Sequence, residues 1–171
     1  MQRILIIGCG GSGKSTLARE LGSRTGLPVM YLDQIWWKPG SWEHLSQEEF
    51  DEQLETLLNQ PKWIMDGNFD RTLEKRLEKC DTVLYLDYNR LVCIWGWLKR
   101  LIRFRGTSRP DMGPNCPEKF NWEFFRWIWN FNKSKRKKYY ALLNQQPQLH
   151  VHIFRNRRQL RKYLTHFSII E

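Results

Sequence analysis

Five short apolar runs divide this chain, and four of them stop on a residue suited to chemistry. Residues 3–7 lead into a glycine cluster, 27–32 into Asp33, 62–65 into Asp66, and 82–86 into Asp87; 150–154 is the fifth run. Each is short, rich in β-branched or aromatic residues and bounded by turn formers, which predicts strands. Helical spacing appears between them. Leu17, Ala18 and Leu21 mark a helix over 14–24, and Ser46 with Glu49 forms a capping box ahead of Phe50, Leu54, Leu57 and Leu58, with Pro61 closing that helix. A short helix is predicted over 71–79, and 157–167 closes the chain with Leu160, Tyr163, Leu164 and Phe167 inward.

Strands alternating with helices predict an α/β fold, a three-layer sandwich in which helices cover both faces of a parallel sheet. In such sheets ligands bind beyond the carboxyl ends of the strands. The glycine cluster and all three aspartates therefore belong to one edge. A length of 171 residues suits a single domain, 1–171, with one core.

Charge sharpens the picture in one place. Residues 99–138 hold twelve basic and three acidic side chains (Asp111, Glu118 and Glu123), a local charge of +9 within a chain total of +10. Such a block calls for an anionic partner, whether nucleotide phosphates, nucleic acid or a membrane surface, and composition does not choose among them. The apolar run 91–98 is far shorter than the roughly 20 residues of a membrane span, and 3–7 is too short for a signal-peptide core. Cys9, Cys80, Cys93 and Cys116 include no C-x-x-C pair, which favours reduced thiols. A cytoplasmic protein without a membrane partner is expected.

The segment Gly8-Cys9-Gly10-Gly11-Ser12-Gly13-Lys14-Ser15 matches G-x-x-x-x-G-K-S/T throughout. Gly8, Gly10, Gly11 and Gly13 let the backbone wrap with its N–H groups inward around phosphate oxygens, and Ser12 lies within that wrap. Lys14 is placed to reach the β- and γ-phosphates, Ser15 to ligate magnesium and Thr16 to assist at the α-phosphate. ATP and Mg2+ are the predicted cofactors. Asp66, ending an apolar strand, is expected to hold the magnesium shell. Asp33 reads equally as a base or orienter for an attacking hydroxyl and as a turn residue opening a loop. For Asp87 the turn reading is preferred.

Trp36, Trp37 and Trp42 follow Asp33, where their rings either stack on an acceptor or pack the loop onto the sheet. The histidines show no metal-ligand spacing. Arg100, Arg103, Arg105 and Arg109 run into Gly106, Pro110, Gly113 and Pro114. A basic helix leading into such a loop suits a lid, placed at about 99–138, whose arginines clamp a transferred phosphoryl group; a solvated cationic face is the alternative. The run 133–138 (KSKRKK) is expected to be an exposed helix face.

On these residues the chain resembles the P-loop kinase group that includes adenylate and shikimate kinases. More narrowly, it is similar to small bacterial DNA topology modulation (FlaR-related) proteins through GCGGSGKSTLARELG, residues 31–42, WIMDGNF, VLYLDYNR, SRPDMGPNCPEKF and WEFFRWIWNF. The resemblance implies a five-stranded sheet in the order 2-3-1-4-5, an acceptor region after strand 2 and a lid after strand 4. It assigns Lys14, Ser15 and Asp66 to nucleotide and metal, Arg100 and Arg109 to the lid, and Arg155 and Asn156 to the adenine. Where monophosphate kinases carry Asp-Gly-Phe-Pro-Arg, this chain has Asp66-Gly67-Asn68-Phe69-Asp70-Arg71. The arginine is displaced to Arg71, which joins Asp33, Trp36 and Trp37 as an acceptor-side candidate.

The expected activity is transfer of the ATP γ-phosphate to a small acceptor, with Lys14, Asp33, Arg100 and Arg109 as the catalytic set. Asp33 favours a hydroxyl acceptor, because a phosphate is already an anion and needs no base. The alternative from another class is a nucleotide-switched DNA-binding regulator gripping the phosphate backbone with segment 99–138, and a nucleoside monophosphate kinase is a third possibility within the enzyme class.

Overall fold

The computed structural model describes residues 1–38, 43–112 and 117–167. Five parallel strands, β1 (Arg3–Gly8), β2 (Val29–Tyr31), β3 (Trp63–Asp66), β4 (Thr82–Leu86) and β5 (His150–Phe154), form one sheet in the order β2-β3-β1-β4-β5. This is the expected order. The central strands β1, β3 and β4 are buried along nearly their whole length, which explains why they read as unbroken apolar runs. Register then sets the site: Ile6 lies opposite Asp66, Gly8 opposite Leu86, and Tyr31 opposite Asp66. The first three strand ends and the start of the glycine loop thus arrive together.

The helices are α1 (Lys14–Thr25), α2 (Leu32–Trp36), α3 (Gln47–Leu58), α4 (Leu73–Lys79), α5 (Arg90–Arg103), α6 (Trp122–Asn144) and α7 (Arg157–Phe167). The Ser46 capping box is formed: Ser46 Oγ accepts from Glu49 N at 3.1 Å, and Ser46 N donates to Glu49 Oε2 at 2.8 Å. Two differences from the sequence expectation matter. β2 stops at Tyr31 and the chain turns at once into α2, so Asp33 occupies the first turn of a helix. The aromatic and basic stretch after residue 121 is a single 23-residue helix, α6, which runs past residue 138 and buries Ile128, Phe131, Tyr139 and Leu143.

α6 is tied down by polar contacts at the strand ends. Asp87 accepts from Arg136 Nε and from Tyr140 Oη, both at 2.9 Å, and Asn132 donates to the Tyr88 carbonyl at 3.0 Å. Asp70 receives Tyr139 and Lys135. The run 133–138 is an exposed face of α6, as expected, apart from half-buried Lys135, and two of its cations, Lys135 and Arg136, are also paired. Asp87 is an anchor for α6. Cys9, Cys80 and Cys93 are buried free thiols, and Cys116 lies outside the described residues. Among the described residues no helix is long and apolar enough to cross a membrane.

Two packing details shape the site edge. Arg76 of α4 is fully buried, and its guanidinium donates to the carbonyls of Gly67 (2.7 Å), Asn68, Phe69 (3.0 Å) and Thr72 (3.4 Å). It holds the loop after β3, including Phe69 at φ 28°, a strained value for a residue with a side chain. Burial lowers the Arg76 pKa to about 10, so it stays cationic at neutral pH. The second detail is an approach of two backbones. A Cβ on Gly96 would lie 2.0 Å from the Gly11 carbonyl oxygen, and one on Gly11 would lie 2.1 Å from the Cys93 carbonyl oxygen. Helix α5 rests directly on the tip of the glycine loop.

Arg76→Met is expected to cost about 3–5 kcal/mol, because it leaves several buried carbonyls without a donor. Urea unfolding checks this, and a loss below about 1 kcal/mol would mean that water replaces the guanidinium. Gly96→Ala introduces one methyl against backbone that cannot rotate away, so a thermal midpoint lower by several degrees is expected. An unchanged midpoint would show that loop and helix slide apart freely.

Candidate active site

The loop between β1 and α1 owes its shape to glycine. Gly8, Gly11 and Gly13 take φ values of 148°, 76° and 99°, left-handed backbone that glycine adopts without steric cost. Ser12 N donates to the Cys9 carbonyl at 3.2 Å, and Gly8 N donates to Asn68 Oδ1 at 3.2 Å, which ties the loop to the segment after β3. Gly13 precedes α1 without a side-chain cap, leaving the first N–H groups of a 12-residue helix available to an anion. Lys14 Nζ donates to the Cys9 carbonyl at 3.1 Å, folded back across the loop.

The loop forms one wall of a cleft of about 1250 Å³. Gly10, Gly11, Gly13, Lys14, Ser15 and Thr16 line that wall. Asp33 and Trp37 approach from α2 and the chain after it, Asp66 and Asn68 from the end of β3, and Arg100, Arg109 and Glu118 from the segment after β4. Topology explains the convergence, because these segments follow strands whose carboxyl ends share one edge.

Electrostatically the cleft is a set of opposed charges. Asp66 is buried, and desolvation raises its pKa to about 6 against the opposing influence of Lys14 and the Ser15 hydroxyl. Its Oδ1 has no partner, and neither has the buried Ser12 Oγ. Burial likewise raises the Asp33 pKa, while Arg109, Lys14 and Arg100 act in the opposite sense. Arg109 pairs with Glu118 at 2.5 Å and Asp111 at 2.7 Å, and Arg100 pairs with Glu118 at 3.0 Å. Burial and the neighbouring Arg109 lower the Arg100 pKa. One carboxylate therefore holds two arginines at the cleft.

Among the described residues no three His, Cys, Asp or Glu side chains form a metal cage. Magnesium does not need one, since it commonly takes one or two protein ligands together with waters and substrate phosphates. An unpartnered buried carboxylate oxygen on Asp66 next to the Ser15 hydroxyl fits that pattern.

Several expected site residues lie elsewhere. Arg71 forms a forked ion pair with Asp51 of α3, at 2.6 and 2.7 Å, and does not line the cleft. Trp36 stacks on His44 at 4.7 Å and meets Phe50 and Phe69 edge-on, which is loop packing. Trp42 lies outside the described residues. Asn156 caps α7 by accepting from Gln159 N at 3.0 Å. Arg155 lines a separate shallow hollow of about 420 Å³ beside Lys133, Arg136 and Lys137. Arg157 comes nearer the loop, with Nη2 3.6 Å from a Cβ position on Gly96. Sequence reasoning missed Gly96, Asn68, Glu118 and Arg76. Gly96 carried a signal, as a lone glycine inside a helical apolar run.

No family model and no curated protein matches this chain. Solved structures do. Shikimate kinase from Acinetobacter baumannii in complex with shikimate superposes with a TM-score of 0.61 at 18% identity, over 100% of this chain and 96% of that one. Shikimate kinase from Bacteroides thetaiotaomicron gives 0.56 at 15% identity, over 98% and 96%. Deoxyadenosine kinase from M. mycoides with bound dATP gives 0.55 at 16%, over 95% and 97%. The similarity to DNA topology modulation proteins finds no counterpart in these matches. At these identities the likeness establishes the architecture, and the chain has the fold shared by these P-loop kinases.

Proposed function

We propose that this protein is an ATP-dependent kinase that phosphorylates a hydroxyl group on a small acceptor. The observation that carries the reading is the cleft in which Gly10, Gly11, Gly13 and Lys14 of the glycine loop face Asp33, Asp66, Arg100 and Arg109. The solved neighbours add support, because proteins named shikimate kinase and deoxyadenosine kinase share the architecture.

In this reading the loop amides and the α1 N-terminus bind the phosphates of ATP, and Lys14 swings from the Cys9 carbonyl to the β- and γ-phosphate oxygens. Ser15 and Asp66 would hold magnesium, which when bound would offset phosphate charge. Asp33 accepts the proton of the acceptor hydroxyl as the O–P bond forms and the bond from the γ-phosphorus to the bridging oxygen breaks, releasing ADP. Its raised pKa makes it a stronger base than an ordinary exposed aspartate. Arg100 and Arg109, positioned by Glu118, stabilise charge on the transferred group. Trp37 lies on the acceptor side.

The DNA-binding alternative has less behind it. Arg100 and Arg109 line the cleft, and Lys135 and Arg136 are paired with Asp70 and Asp87. The resemblance to DNA topology modulation proteins identifies no reaction.

ADP release in the presence of MgATP, screened over nucleosides, monophosphates and small hydroxylated metabolites, tests the proposal. Stimulation by a hydroxyl acceptor supports it; ATP binding without stimulation by any acceptor counts against it. With that acceptor, Asp33→Asn is expected to lower kcat by about 100-fold or more while ATP affinity changes less than about threefold. Unchanged kcat would remove Asp33 from the mechanism.

Asp66 generates a stability prediction. A carboxyl whose folded pKa is raised destabilises the native state once ionised. The penalty is absent below its unfolded value near 4, grows as pH rises to about 6, and is complete above that. Asp66→Asn is therefore expected to stabilise the ligand-free protein by about 3 kcal/mol at pH 8, and not at pH 4. Thermal unfolding across pH in the presence of a chelator reads this, and destabilisation at pH 8 would refute it.

A further inference from the structure

The outer face of α5 and α6 combines exposed apolar side chains with an almost wholly basic surround. On α5, Leu91, Trp95 and Ile102 are 62%, 56% and 77% exposed, and helical spacing places them with Lys99 within one arc. On α6, Trp122 and Trp129 are 69% and 42% exposed and lie seven residues apart. The two helices join through Arg90, whose guanidinium sits 4.4 Å above the Trp129 ring. Lys99 lies over Trp95 at 5.1 Å. Single exposed apolar residues are ordinary, but a set of this size on adjoining helices marks an interaction surface.

Charge selects the partner. From Asn89 to Pro110 the chain carries six cations and no carboxylate, and Glu123 is the one acid in the first turn of α6. A second copy meeting this face with its own would bring like charges together at an apolar contact, which is unfavourable. Nucleic acid would satisfy the charge and could stack on the tryptophans. It would leave Leu91, Val92 and Ile102 facing phosphate and water, and the α5 stripe carries no amide or hydroxyl side chain to read a base edge. A bilayer with anionic headgroups satisfies both features. Aliphatic side chains and indoles enter the headgroup–acyl boundary, while Arg90, Lys99, Arg103 and Arg126 meet lipid phosphates.

We infer that the α5–α6 face is a peripheral docking surface for anionic lipid membranes. This inference does not depend on the kinase reading. Lys99 and Arg103 also line the cleft, so docking would bring the cleft mouth close to the lipid surface. The expectation of a protein with no membrane partner rested on the lack of a span, and a peripheral face needs none.

The test is co-sedimentation of the full chain with vesicles of phosphatidylcholine alone and with about 30% phosphatidylserine added. Binding is expected only with the anionic lipid, falling about tenfold or more between low salt and ~0.5 M salt. The double variant Leu91→Gln/Trp95→Gln changes only exposed positions, and it is expected to weaken vesicle binding about tenfold while leaving the thermal midpoint and ATP titration unchanged. No binding to the anionic vesicles at low salt would overturn the inference, as would wild-type affinity in the double variant. Two further outcomes overturn it in favour of another occupant. One is a dimer in analytical ultracentrifugation that Leu91→Gln/Trp95→Gln dissociates. The other is single-stranded DNA that binds more tightly than the vesicles and is lost in that variant.

Discussion

The close approach of Gly11 to the backbone of α5 is the constraint on which the cleft depends. With no side chain on Gly11 or Gly96, the helix after β4 lies directly on the glycine loop, and its later turns carry Arg100 to the cleft edge. A larger residue at either position would separate the glycine loop from the cations that line the cleft with it. Backbone-to-backbone packing of this kind transmits position with little slack, because interiors are close-packed and neither partner has rotamers with which to yield. Arg76 does the corresponding work on the other side. It gathers the carbonyls after β3, so that Asn68 reaches Gly8 and Asp66 holds its place beside Ser15.

Glu118 gives the cleft its electrostatic order. Left to themselves, Arg100 and Arg109 would repel one another across a partly dehydrated space. The shared carboxylate makes their proximity tolerable and fixes both near Asp33. The arrangement concentrates charge where a polyanion would sit, yet it is largely neutralised in advance. In the proposed reaction an incoming phosphate would meet oriented donors and need not organise free side chains, which is how preorganised sites keep their reorganisation cost low.

Much of this was legible in the sequence because it depends on local chemistry. The glycine loop, its lysine and serine, and the carboxylates at strand ends follow from residue types at fixed spacing beside apolar runs, and strand ends must share an edge in a parallel sheet. Residues that act through tertiary partners were not legible. Arg71 reads as an acceptor contact by its position after β3, yet Asp51, twenty positions earlier, occupies its fork. Trp36 and Trp37 are adjacent and identical in type; only the turn at the end of α2 sends one into packing with Phe50 and the other to the cleft. Lys135 and Arg136 belonged to a run that periodicity alone assigns to solvent, yet Asp70 and Asp87 claim them. Glu118 gave no local signal, since its role exists only where two distant arginines meet.

Helix α5 shows how one segment serves two environments. Cys93 and Trp97 face the core and Arg100 the cleft, whereas Leu91, Trp95 and Ile102 face outward. An ordinary surface helix places polar residues opposite its buried stripe, and that division is the usual means of staying soluble and monomeric. Here the side opposite the core is apolar, with cations along its margins. Neither folding nor the chemistry of the cleft requires those exposed side chains, and water penalises them. A helix that is apolar on its outward side as well as its inward side is built for two contacts, one of which lies outside this chain.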